Sequence, residues 1–176
     1  TLQTIAMLAR IYPKTKEPTL IVMPRSLLFN WQNEIQRFAP QLTTYTYYGI
    51  LRDMSQALES QLVLTTYAVL RNDVETFCKQ SFHYVILDES QNIKNFSSQT
   101  TQAVMLLHTK HRLALSGTPI ENNLTELYSL FRFLNPAMFG SIEDFNAHYT
   151  YPIQRDNDKD TMQALRRKIY PFMLRR

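Results

Sequence analysis

Residues 83–91 read HYVILDESQ, an apolar run that ends on two adjacent carboxylates, Asp88 and Glu89. A short continuous apolar run of this kind marks a strand buried on both faces, as in a parallel sheet. The same pattern recurs on either side of it. TLIVM (19–23) ends at Pro24, LTTYTYY (42–48) and QLVLTTY (61–67) read as further strands, and HRLALSGT (111–118) ends in a small-residue turn. Helical spacings fall between these runs. Leu2, Ile5, Ala6, Leu8 and Ala9 share one face of a helix that Pro13 stops. Ser26 is placed to cap a helix carrying Leu27, Leu28, Trp31, Ile35 and Phe38, which ends at Pro40. LRDMSQALES (51–60) predicts a short helix, and VETFCKQSF (74–82) a helix edge. Ser97 or Ser98 starts another with Ala103, Val104, Leu106 and Leu107, and residues 121–134 form a last one before Pro136.

Strands alternating with helices over ~30-residue units predict βαβ crossovers. The expected fold is therefore α/β, a parallel sheet with helices on both faces. Its expected extent is residues 1–136, with residues 137–176 a C-terminal helical appendage in which QRDNDKD (154–160) is a surface loop.

Composition narrows the function classes. The 176 residues, 44% apolar and 19% charged, suffice for one globular domain with a substantial core. The only glycines are Gly49, Gly117 and Gly140, where average usage would give roughly 12. Neither a GxxxxGK phosphate loop nor a GxGxxG fingerprint can be written with them. The single cysteine, Cys78, excludes an internal disulfide and a multi-cysteine zinc site, which points to a reducing compartment: cytoplasmic, or nuclear in a eukaryote. His108 and His111 have a metal-like spacing but no nearby carboxylate or thiolate. No apolar run approaches the ~20 residues that span a membrane, and TLQTIAMLAR lacks the order of a secretory signal. The net charge of +4 is compatible with a polyanion without requiring one. Arg166, Arg167, Lys168, Arg175 and Arg176 gather at the end, where they read as the solvated face of a last helix.

Ligands of open parallel sheets bind beyond the carboxyl ends of the strands. That rule selects Asp88-Glu89-Ser90-Gln91, Ser116-Gly117-Thr118-Pro119, Thr65-Thr66-Tyr67 and Pro24-Arg25-Ser26. Adjacent carboxylates at a strand end suit a magnesium nucleotide. One can hold the ion, directly or through its waters, and the other can orient and deprotonate an attacking water. The hydroxyls of the SGT turn can bond the acidic pair or a phosphate; alternatively the turn is structural and needs Gly117 for its backbone.

DESQNIKNFSSQ (88–99), RLALSGTPIENNLTELYSLFRFLNP (112–136) and IYPFMLRR (169–176) together resemble the Swi/Snf-type DNA-dependent ATPases of helicase superfamily two. That family's usual forms are DEAQxIKN, LTGTPIENxLxELWSLFxFLNP and PFxLRR, in the same order. TLIVMPRSLLFNWQNEIQRFAP (19–40) is similar to its motif Ia region and LTTYAVLRND (64–73) to its Ic region, so the resemblance covers essentially the whole chain. It implies a RecA-like lobe, the first of two that close around ATP and move along duplex DNA. On that resemblance Asp88 serves magnesium, Glu89 activates water and Gln91 sits at the ATP-facing interface. Ser116, Gly117 and Thr118 couple hydrolysis to DNA contacts. Pro24, Arg25 and Ser26, with Thr65, Thr66 and Tyr67, line a strand-tracking surface that meets phosphates without reading bases. Trp31 matches a family aromatic but lies on the apolar stripe of its helix and reads as core; Lys94 and Asn95 read as loop residues.

Ser90 stands where the family has alanine, and Tyr128 where it has tryptophan. The family's phosphate loop reads GLGKTLQTIA, and this chain opens on TLQTIA. Thr1 thus matches the threonine whose hydroxyl binds magnesium. The lysine and glycines before it, and the strand preceding them, lie outside the sequence, as does the second lobe; that strand is expected inside the sheet. The resemblance implies ATP and magnesium as cofactors, double-stranded DNA and a second RecA-like lobe of the same polypeptide as partners, and little turnover by this segment alone. The competing reading is a non-catalytic nucleic-acid or protein-interaction module on a degenerate lobe, against which the retained Asp88, Glu89 and Ser116-Gly117-Thr118 argue. A third, an RNA helicase lobe, fits FRFLNP and PFMLRR less well.

Overall fold

A computed structural model describes residues 1–12, 14–117 and 123–174. TLIVM forms β1 (Thr19–Met23), with all five residues buried. Alternate side chains of a strand point to opposite faces, and both faces of β1 are apolar, so helices must cover both. The other strands are β2 (Thr44–Thr46), β3 (Leu62–Thr66), β4 (Ser81–Leu87) and β5 (His108–Ala114). Among the described residues they pair in the order β2-β3-β1-β4-β5, every pair parallel. Ile21 lies opposite Leu64 on one side and Ile86 on the other, which sets the register at the centre. The five strands pair consecutively, so a further strand can join only beyond β2 or β5.

The helices are α1 (Leu2–Ile11), α2 (Leu28–Phe38), α3 (Met54–Leu58), α4 (Tyr67–Asn72), α5 (Val74–Phe77), α6 (Gln99–Met105) and α7 (Leu124–Leu134). On one face of the sheet Ile21, Met23, Leu64 and Ile86 pack against Ile5 and Leu8 of α1 and Trp31 and Ile35 of α2. On the other, Leu20, Val22, Val63, Val85 and Leu87 pack with Leu70, Phe77, Val104 and Phe133 from α4, α5, α6 and α7. This is the expected two-faced α/β arrangement.

The C-terminal stretch runs through α8 (Ile142–Phe145), a π-type turn (Asn146–Thr150), α9 (Tyr151–Arg155) and α10 (Lys159–Ile169). Phe139, Phe145, Leu165 and Ile169 bury themselves on Leu124, Leu127, Tyr128 and Phe131, the face of α7 turned away from the sheet. α7 therefore serves two cores. Tyr128 is almost fully buried, and its hydroxyl donates to the Gly140 carbonyl at 3.0 Å. A tyrosine thus fits where the motif resemblance has tryptophan, because its polar tip has a partner.

Some local expectations are corrected. Ser26 caps nothing: residues 25–27 form a 3-10 turn that starts after Pro24 and runs into α2, whose N-cap position is Leu27 with no side-chain bond. The 42–48 strand shortens to three residues. Tyr47 is drawn inward, its ring edge-on to Phe77 at 4.9 Å and its hydroxyl on Asp73 at 3.0 Å. α4, which periodicity did not reveal, starts where the Thr66 hydroxyl accepts the Val69 amide. Of the two serines before α6, Ser98 is the cap. The stops at Pro13 and the start of the 121–134 helix at residues 121–122 lie outside the described residues; Asn123 caps α7.

Arg52 clamps Asp73 with two bonds, Nε to Oδ2 at 2.5 Å and Nη2 to Oδ1 at 2.9 Å. The guanidinium holds the Asp73 carboxyl below its ordinary range. A lowered folded value gives stability that is full above the unfolded value of about 3.9 and lost as pH falls through the folded one. Asp73→Asn is therefore expected to lower the thermal midpoint at pH 7, with the gap to wild type closing below about pH 4; calorimetry across pH checks this. Tyr128→Phe, which leaves the Gly140 carbonyl without its partner, is expected to cost about 1 kcal/mol in denaturant unfolding.

Candidate active site

Because the strands are parallel, their carboxyl ends share one edge of the sheet, and the turns that follow gather there. Asp88 extends β4 by one residue, its amide donating to the Val22 carbonyl at 2.8 Å. Each of its acceptors is engaged. Oδ1 accepts the Glu89 amide at 2.9 Å, Oδ2 accepts Trp31 Nε1 at 2.7 Å, and the main-chain carbonyl accepts the Tyr67 hydroxyl at 2.7 Å. Glu89 then adopts a left-handed backbone, φ 49° and ψ 55°. That conformation is uncommon for a residue with a side chain, and such strain concentrates at functional sites. It turns the chain sharply out of the strand into a 3-10 segment, Ser90–Ile93.

The Glu89 carboxylate is held in turn by Gln91, whose Nε2 donates to Oε2 at 2.5 Å. Gln91 Oε1 receives a long contact, 3.5 Å, from the Ser116 hydroxyl. The turns of β4 and β5 are thereby joined: Ser116 to Gln91 to Glu89. Main-chain bonds reinforce the join, the Ser90 amide donating to the Leu115 carbonyl and the Leu115 amide to the Leu87 carbonyl, both at 2.8 Å. Gly117 does not have a left-handed φ, and a Cβ built there meets nothing within 4 Å. Thr118 lies outside the described residues.

The other candidate positions divide. Arg25 and Ser26 are exposed and Pro24 is half-buried; the Arg25 guanidinium lies 5.8 Å from the Tyr48 ring centre. Thr1 is exposed at the N-terminus of α1, its carbonyl accepting the Ile5 amide while its hydroxyl does not cap the helix. Thr65, Thr66 and Tyr67 correct the expectation of a surface, because all three side chains are buried. The Thr65 hydroxyl donates to the Tyr47 carbonyl at 2.9 Å, Thr66 caps α4, and Tyr67 supports Asp88. Lys94 is exposed, and Asn95 bonds the Ser97 amide and hydroxyl as a loop residue does. Ser90 is buried.

Two site residues escaped the sequence reading in this role. Trp31 is core, as its periodicity implied, yet its indole N–H reaches Asp88. The signal was available in principle: a buried tryptophan N–H needs an acceptor. Which acceptor it takes, 57 residues along the chain, is invisible to periodicity. Tyr67 is the second. Burial, and then the Asp88 and Glu89 charges, push its hydroxyl well above the ordinary tyrosine value, so it remains a donor.

The donor set suits a hard divalent cation with phosphate. Each Asp88 oxygen accepts one bond and keeps further lone-pair capacity. Among the described residues no three His, Cys, Asp or Glu side chains cluster as a metal cage. One or two carboxylates are the usual protein share for magnesium, which keeps waters and takes phosphate oxygens for the rest.

Comparison with known proteins bears on the family of the chain. The profile of the SNF2-related domain matches residues 1–176. A putative ATP-dependent helicase/translocase, YwqA, of Bacillus subtilis is 40% identical over all of this chain and 20% of its own length. The TATA-binding protein-associated factor mot1 of Schizosaccharomyces pombe is 38% identical over 90% of this chain and 9% of its own. The Sulfolobus solfataricus SWI2/SNF2 ATPase core, solved in complex with dsDNA, superposes with a TM-score of 0.91 at 37% identity, covering 99% of this chain and 37% of that one. The chain spans about a fifth or less of these curated relatives. With a RecA-like parallel sheet, a carboxylate pair at the end of β4 and a match along its whole length, the chain belongs to the SNF2-related domain family.

Proposed function

We propose that this chain is part of the ATP-binding motor lobe of a protein that couples ATP hydrolysis to movement along double-stranded DNA. The observation that carries the reading is the Asp88–Glu89 pair beyond β4, tied through Gln91 to Ser116 beyond β5. Relatives described as ATP-dependent helicases or translocases, and a DNA-bound neighbour, support it.

Within this reading the residues divide the work as follows. Asp88 presents its carboxylate to magnesium, with Thr1 as a second oxygen. A magnesium ion held by these residues would supply charge neutralisation to the phosphates of the nucleotide. Glu89 holds the attacking water and takes its proton, and its left-handed backbone together with Gln91 sets where that carboxylate points. Ser116, through Gln91, makes the base sensitive to the turn of β5, and Thr118 takes part in the same coupling. Gly117 leaves open space in which a phosphate or the facing lobe approaches the main chain. Arg25 and Ser26, exposed on the same sheet edge, meet DNA phosphates, which position without reading sequence. A second RecA-like lobe closes the nucleotide site from the opposite side. The division at residue 136, with 137–176 leading toward that lobe, belongs to the same proposal, although the later residues share a core with α7. No described helix is long and apolar enough to cross a membrane; the proposed activity calls for a location with DNA, in a bacterial cytoplasm or a eukaryotic nucleus.

In the protein at its full natural length, Glu89→Gln is expected to lower duplex-stimulated ATP hydrolysis by about 100-fold or more while duplex binding persists. Unchanged hydrolysis, or hydrolysis that RNA stimulates and duplex DNA does not, counts against the reading. Duplex binding without nucleotide hydrolysis supports a non-catalytic module instead. Duplex affinity is expected to fall linearly with salt on logarithmic axes. Arg25→Ala should weaken binding evenly across sequences and reduce that slope by about 1; a salt-independent affinity overturns backbone contact.

A further inference from the structure

Two segments that follow neighbouring strand ends, one of them beginning at the turn assigned to DNA contact, each send a buried aromatic to Asp88. The 3-10 turn at Arg25–Leu27 runs without interruption into α2, and Trp31 lies about 10 Å along that helical segment from Arg25. Trp31 is fully buried on the sheet, and its Nε1 donates to Asp88 Oδ2 at 2.7 Å. Thr65 and Thr66 end β3, Thr66 caps α4, and Tyr67, the first residue of α4, donates its hydroxyl to the Asp88 carbonyl at 2.7 Å. The carboxylate and the main chain of one residue are thus held from two neighbouring strand ends.

We infer that Trp31 and Tyr67 are positioning residues: they hold Asp88 for a magnesium nucleotide and link it to the two turns that carry them. The inference rests on the function proposed above and assigns its metal carboxylate a route to the duplex. The physical basis is short-range. Trp31 has no freedom to rotate within the packed core, since interiors are close-packed. A shift of α2 when Arg25 and Ser26 meet phosphate therefore moves the Trp31 donor relative to the carboxylate. If Trp31 served as packing alone, its N–H would need only some acceptor; here it takes an oxygen of the carboxylate that the site presents to the ion. Partners behind a metal ligand orient it, and losing one typically costs 10–100-fold in metal affinity or activity.

The test uses Trp31→Phe and Tyr67→Phe in the protein at its full natural length, each removing a donor and keeping a ring. Binding of a non-hydrolysable ATP analogue is titrated by calorimetry against magnesium concentration. ATPase stimulation by duplex DNA is measured in parallel, and thermal melting controls for folding. Each variant is expected to raise the half-saturating magnesium concentration about 10-fold and to reduce the duplex stimulation factor. Tyr67→Phe decides the matter should Trp31→Phe fail to fold. Folded variants that melt lower but keep the wild-type magnesium dependence show packing alone and overturn the inference. Weaker magnesium dependence with full duplex stimulation overturns the link to the turns and upholds the positioning role. Wild-type protein that binds the analogue independently of magnesium overturns the function proposed above as well, which separates the two failures.

Discussion

The structure depends on one constraint, the burial of β1 on both faces. Leu20 and Val22 enter one core and Ile21 and Met23 the other, with no polar side chain among the four. Buried side chains of this size contribute about 1.5–3 kcal/mol each relative to exposure, so neither face can be left to water. Parallel neighbours with helical crossovers satisfy both faces and every main-chain bond of the central strands. The same arrangement brings the carboxyl ends of β1, β3, β4 and β5 to one edge. The location of the site is thus a consequence of how the core is built.

At that edge Asp88 is the junction. It continues the β4 ladder through its amide, receives Tyr67 on its carbonyl, and receives Trp31 and the Glu89 amide on its carboxylate. A polar group taken out of water must be hydrogen-bonded, and here α2, α4 and the Glu89 amide supply the donors. Glu89 follows in a conformation that side chains seldom adopt, held by Gln91 and by the main-chain bond from Ser90 to Leu115. Strain of order 1–3 kcal/mol persists only where surroundings over-determine it.

α7 shows how a second core grows from the first. Phe133 and Leu130 face the sheet, while Leu127, Tyr128 and Phe131 face the C-terminal helices. A helix apolar nearly all round is buried on both sides. The end of the strand–helix alternation marks residues 137–176 as a helical appendage; their aromatic cluster, Phe139, Phe145 and Tyr149, packs in one core with α7.

Apolar runs and breakers in the sequence determined the strands, the parallel α/β class and the carboxylate pair at a strand end, because periodicity and turn chemistry are local properties. The motif order determined the family. The same local rules mistook Ser26 for a cap, and the family resemblance put Thr65, Thr66 and Tyr67 on a surface, because a hydroxyl reads alike whether it meets water, a neighbouring carbonyl or a helix amide. Only the tertiary structure decided that Trp31 bonds Asp88 across 57 residues and that Ser116 reaches Glu89 through Gln91. Those partners are chosen by the packing of α2 on β4 and the register of β4 with β5. The distances they span in space have no counterpart in the spacing of residues along the chain.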